Sequence, residues 1–72
     1  MELHICFNSK VEFKRAVEFV ETDSEFYAED DQDRNMLVVE CSDNHDANVN
    51  EKWIEKELRE KEIESFYFEI EH

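Results

Sequence analysis

The chain has no glycine and no proline, only two cysteines, and eight basic residues against 21 acidic ones in a length of 72. Each shortage excludes something. Without glycine, and with no arginine to spare at a loop, there is no backbone-amide cradle for phosphate. Two cysteines are too few for a disulfide scaffold, and Cys6 and Cys41 are isolated, so no Cys-x-x-Cys pair offers a soft-metal site. No run of about 20 apolar residues exists to cross a membrane, and no basic start precedes an apolar stretch as in a signal peptide. The expectation is one soluble cytoplasmic domain over residues 1–72, with both thiols reduced.

What is present is negative charge, and its net value of -13 argues against direct binding to nucleic acid or to anionic membranes and favours a basic protein as partner. The excess is uneven. Residues 1–20 balance three glutamates with three cations, whereas residues 21–46 set ten carboxylates against Arg34 alone, and residues 47–72 set eight glutamates against four cations. The acidity therefore lives in the middle third. A solvated surface, or adaptation to a salty cytoplasm, would give the same composition.

Apolar spacing sets the architecture. Leu3, Ile5 and Phe7 alternate as in a half-buried strand, and Ser9 with Glu12 has capping-box spacing that starts a helix with Phe13, Ala16, Val17 and Val20 on one face. Thr22-Asp-Ser24 ends it. Phe26 and Ala28 alternate with Glu25, Tyr27 and Glu29 in a second strand, followed by an Asp- and Asn-rich turn over 30–35 and a third strand over Met36 to Cys41. Asn50, preceded by Val49 and followed by Ile54, reads as the N-cap of a second helix whose inner stripe is Trp53, Ile54 and Leu58. Phe66, Phe68 and Ile70 alternate in a last strand. The order β-α-β-β-α-β predicts an α+β, ferredoxin-like fold: an antiparallel sheet of order 4-1-3-2 with two helices on one face.

That fold hosts many activities, so function has to be argued at sites. Tyr27 and Tyr67 on the open sheet face sit where an RNA-recognition module stacks bases, yet glutamates surround them. His4 and Cys6 lie two apart on one strand, about 6.7 Å along the backbone, too far for a nucleophile–base pair. Asp43, His45 and Asp46 lack the spacing, glycine and closing glutamate of a calcium loop. No catalytic, metal or cofactor residue is expected, and the protein reads as a non-enzyme.

The hairpin carries the expectation of function. Its carboxylates Glu25, Glu29, Asp30, Asp31 and Asp33, with Asp43 and Asp46 at its base, advance along strand at about 3.4 Å per residue, close to the axial phosphate repeat of one DNA strand. The leading expectation is an inhibitor that imitates nucleic acid and fills the basic groove of a nucleic-acid-binding or -processing protein. In composition alone the chain resembles, as a class, the small acidic inhibitors that phages and other mobile elements deploy against host defences. The alternatives are an acidic adaptor or antitoxin-like neutraliser that recognises a basic protein by shape, and a module that self-associates through Cys6, Tyr27, Met36, Val38 and Tyr67 on the open face. A monomer or a homodimer fits these readings.

Overall fold

The computed structural model describes residues 1–23 and 28–71. Ser24, Glu25, Phe26 and Tyr27 lie outside the described residues, so the expected start of the second strand and the roles given to Glu25 and Tyr27 are not placed. Among the described residues the order is β1 (Glu2–Phe7), α1 (Lys10–Asp23), β2 (Ala28–Asp31), β3 (Met36–Glu40), α2 (Asn44–Glu60) and β4 (Phe66–Glu71). The strands form one antiparallel sheet in the order β2-β3-β1-β4, the ferredoxin-like arrangement expected from the pattern.

Strand phase follows the apolar alternation. Leu3, Ile5, Phe7, Leu37 and Val39 are buried against the helices, and Ala28, Phe66, Phe68 and Ile70 pack at the margin of the same core. From α1, Phe13, Ala16 and Val20 enter it as their spacing requires, with Phe19 added beside them. The Glu12 amide donates to Ser9 Oγ at 3.2 Å, which fixes the start of the helix. Cys41 lies in this core and Cys6 outside it, both as free thiols, so the two stand on opposite sides of the sheet.

Two elements depart from the sequence expectation. β2 runs to Asp31, two residues beyond the predicted end at Glu29, because an edge strand facing water needs backbone pairing with Leu37 and Met36 but no apolar side chains. The second helix begins at Asn44, not at Asn50. Its N-cap is Asp43, whose Oδ1 accepts the Asp46 amide at 2.9 Å, while Asp46 Oδ2 accepts the Ser42 amide at 3.0 Å. Asp43 thus satisfies a first-turn amide and Asp46 reaches back to the amide just before the cap, an arrangement close to a capping box. Asn50 is instead a buried inner-face residue that donates to Cys41 Sγ at 3.5 Å, alongside Ala47, Ile54 and Leu58. Trp53 is not on the inner stripe; it stays 39% exposed and stacks on Phe19 with ring centres 6.0 Å apart.

The missing glycine has a structural consequence at the end of α2. Ile63 N–H bonds the Leu58 carbonyl at 2.9 Å and Glu62 N–H bonds the Arg59 carbonyl at 3.0 Å, the paired bonds of a Schellman stop, with Glu62 at φ 63 where glycine is usual. Buried Ile63 and Leu58 complete the motif with an apolar contact. A side chain in this left-handed region costs about 1–2 kcal/mol. Glu62→Gly is therefore expected to stabilise the domain by about 1 kcal/mol, or ~4–8 °C in Tm, in thermal unfolding, whereas Glu62→Gln, which removes only the charge, gives less.

Candidate functional site

The acidic hairpin is held at both ends of its turn. Asp31 Oδ1 accepts the Arg34 amide at 3.2 Å and its carboxylate lies 3.6 Å from the Arg34 guanidinium. Asn35 takes φ 52, the left-handed conformation expected of Asn in a chain without glycine, and its carbonyl accepts the Phe7 amide at 2.9 Å. Lys10 Nζ donates to the Gln32 carbonyl, tying the turn to the start of α1. Asp31 thus has a structural task. Glu29, Asp30 and Asp33 are exposed, with Asp30 accepting from Gln32 Nε2 at 3.1 Å.

Side chains alternate along β2, so same-side carboxylates such as Glu29 and Asp31 stand about 6.7 Å apart, and Asp30 points to the other side of the edge. The short edge strand is a ridge acidic on both flanks. Asp43 and Asp46 sit at the far end of β3, about 17 Å of strand from the turn, and are engaged in capping α2.

The open sheet face extends this acidity, as the alternation of Glu29, Glu40, Glu69 and Glu71 with apolar residues implies. Strand register sets Glu40, Glu2 and Glu71 in one row across β3, β1 and β4, Glu29, Val38, His4 and Glu69 in the next, and Asp31, Met36, Cys6 and Tyr67 in a third. Among the described residues six carboxylates thus share the face. Alternation alone puts Glu29, Glu40, Glu69 and Glu71 on this face; register adds Glu2 and Asp31 and aligns Glu40, Glu2 and Glu71 in one row. The face expected to offer an apolar patch has Cys6 and Met36 buried, Val38 half-buried and Tyr67 52% exposed.

Hydrogen bonds ease part of the crowding. His4 Nε2 lies 3.1 Å from Glu2 Oε1, and because a carboxylate only accepts, that nitrogen donates. This bond holds the Glu2 carboxyl below its usual range. Burial pushes the Cys6 thiol up, against an opposing hydrogen bond from Tyr67, and the nearby Cys6 sulfur pushes the Tyr67 phenol up in turn. Neither group is an activated nucleophile. Among the described residues no set of three or more His, Cys, Asp or Glu is placed to hold a metal ion.

A cleft of about 220 Å³ lies between α1 and the end of α2, lined by Arg15, Glu18, Phe19, Thr22, Lys61 and Ile63. Its cations are engaged within the chain. Arg15 donates to the Lys61 carbonyl at 2.6 Å, and Lys61 Nζ stands 4.7 Å over the Phe19 ring and 3.7 Å from Glu57.

Comparison with protein-family models, with curated proteins and with solved structures finds no match to this chain. No helix of the described residues is long and apolar enough to cross a membrane.

The acidic surface also has an energetic effect. The molecule measures 30 × 25 × 19 Å, so at 0.01 M salt, where screening extends about 30 Å, every carboxylate feels the others; at 0.5 M it reaches only a few Å. Like charges directly opposite on neighbouring strands, as in the Glu40, Glu2 and Glu71 row, are destabilising. Raising NaCl from 0.01 to 0.5 M is expected to raise Tm by about 4–8 °C, the equivalent of ~1 kcal/mol. A salt-independent midpoint in differential scanning calorimetry would contradict this repulsion.

Proposed function

We propose that the protein inhibits a nucleic-acid-binding or -processing protein by placing its acidic hairpin in that protein's basic groove. The observation that supports this reading is the edge ridge of β2: Glu29 and Asp31 on one flank, Asp30 on the other and Asp33 at the turn, continuous with the glutamates of the open face. A groove shaped for a phosphate backbone has cations on both walls, and a strand with alternating carboxylates faces both. Four residues of strand span about 13 Å, the axial length of roughly four phosphates. The role is non-catalytic, and two free thiols suit a reducing cytoplasm. An anti-defence role of the kind mobile elements use is the biological setting we propose for it.

Affinity capture from nuclease-treated lysate tests the proposal. One basic nucleic-acid-binding protein is expected to be retained and to be eluted by added DNA or RNA. Retention of a basic protein that nucleic acid does not elute would replace mimicry with recognition by shape.

A further inference from the structure

The other edge of the sheet, β4, differs from β2 in a way that selects its own kind of partner. The Asn8 amide donates to the Ser65 carbonyl at 3.0 Å, so in the antiparallel ladder Tyr67, Glu69 and Glu71 turn their backbone groups toward β1. Phe66, Phe68 and Ile70 consequently aim N–H and C=O groups outward, and among the described residues no strand lies beyond them. β4 has six residues, about 20 Å, with no proline, lysine or arginine of its own to blunt the edge; the nearby Arg59 of α2 lies over the Phe66 ring at 6.0 Å and leaves Phe68 and Ile70 to the partner.

The side chains of β4 alternate in character. Phe66, Phe68 and Ile70 are half-buried at the margin of the core, on the helix side. Glu69 and Glu71 are exposed on the open face. β2 lacks this division, because Glu29, Asp30 and Asp31 make it acidic on both sides. Pairing of two copies through β4 would gather Glu69 and Glu71 of each on one face of the junction and join two molecules of charge -13.

We propose that β4 accepts an extended segment of a partner protein in which basic and apolar residues alternate. Its backbone completes the ladder with Phe66, Phe68 and Ile70, its apolar side chains cover the exposed parts of those residues, and its cations face Glu69 and Glu71. This site is independent of the hairpin.

The test uses the intact protein and the peptide acetyl-Lys-Val-Lys-Val-Lys-Val-Lys-amide, with a peptide of the same composition in which lysines and valines are grouped in blocks. Both carry the same charge, so a general electrostatic attraction treats them alike. The alternating peptide is expected to bind about tenfold more tightly and to slow hydrogen exchange at the Phe66, Phe68 and Ile70 amides. The exposed double variant Glu69→Lys/Glu71→Lys, checked for its fold by circular dichroism, is expected to switch preference to an alternating Glu-Val peptide. Equal binding of the block peptide, or protection that appears at the Ala28 and Asp30 amides instead, overturns the proposal. A concentration-dependent dimer that protects the β4 amides without peptide overturns it too, and assigns the edge to a second copy.

Discussion

Phe13→Ala is expected to remove most of the stability of this domain. The ring is 1% exposed, packs against Phe7 with centres 6.1 Å apart, and has Lys10 Nζ over its face at 5.3 Å. Truncating a buried phenylalanine costs about 3–5 kcal/mol, through lost transfer energy and the cavity left behind. A chain of this length has only about 4–11 kcal/mol in total. The variant should therefore unfold at low urea or be unfolded in its absence, while Val11→Ala, at a site 67% exposed on the same helix, should shift stability by less than ~0.5 kcal/mol. Equal midpoints for the two variants in urea titration would contradict the assigned core.

The second large effect concerns binding. Against the captured target, the triple variant Glu29→Gln/Asp30→Asn/Asp33→Asn is expected to lose at least about 100-fold in affinity, taking ~1 kcal/mol for each charge set against a basic groove. Asp31 is left in place because it caps the Arg34 amide, and its loss would disturb the turn as well as the charge. Asp43 and Asp46 are likewise unsuited to the test, since Asp43→Ala would remove the N-cap of α2 and about 1 kcal/mol of stability. Calorimetric titration of the variant should also show a shallower dependence on salt, because fewer charge contacts remain to be screened. Affinity within a factor of two of the wild type would place the contact elsewhere.

Much of the fold was legible because its signals are local. Leu3, Ile5 and Phe7 alternate without interruption, Ser9 and Glu12 have capping-box spacing, and the Glu55–Arg59 pair forms at 2.9 Å as its i, i+4 order implies. The end of β2 was less legible, since Asp30 and Asp31 have poor strand propensity and pair only because β3 supplies the ladder. The start of α2 was misplaced because Asp43 and Asp46 have two readings, loop acids or a helix cap, and the apolar pattern around Val49, Asn50 and Ile54 favoured the later start. Trp53 was drawn inward by its size, whereas the tertiary packing uses one flat face of it against Phe19.

For the candidate site, sequence gave the carboxylates of the turn but not their division of labour. That Asp31 caps the Arg34 amide and Asp30 accepts from Gln32, while Glu29 and Asp33 are simply exposed, depends on hydrogen bonds made across the turn. Alternation puts Glu40, Glu69 and Glu71 on the open face, but their alignment with Glu2 depends on register over three strands separated in sequence by most of the chain, for which local pattern carries no information.

Competition on the purified target most directly tests the central claim that the acidic ridge stands in for a phosphate backbone. Labelled nucleic acid bound to that target should be displaced by this protein to completion, with an inhibition constant equal to the protein's own Kd at each salt concentration. A stable ternary complex of target, nucleic acid and this protein would contradict the account.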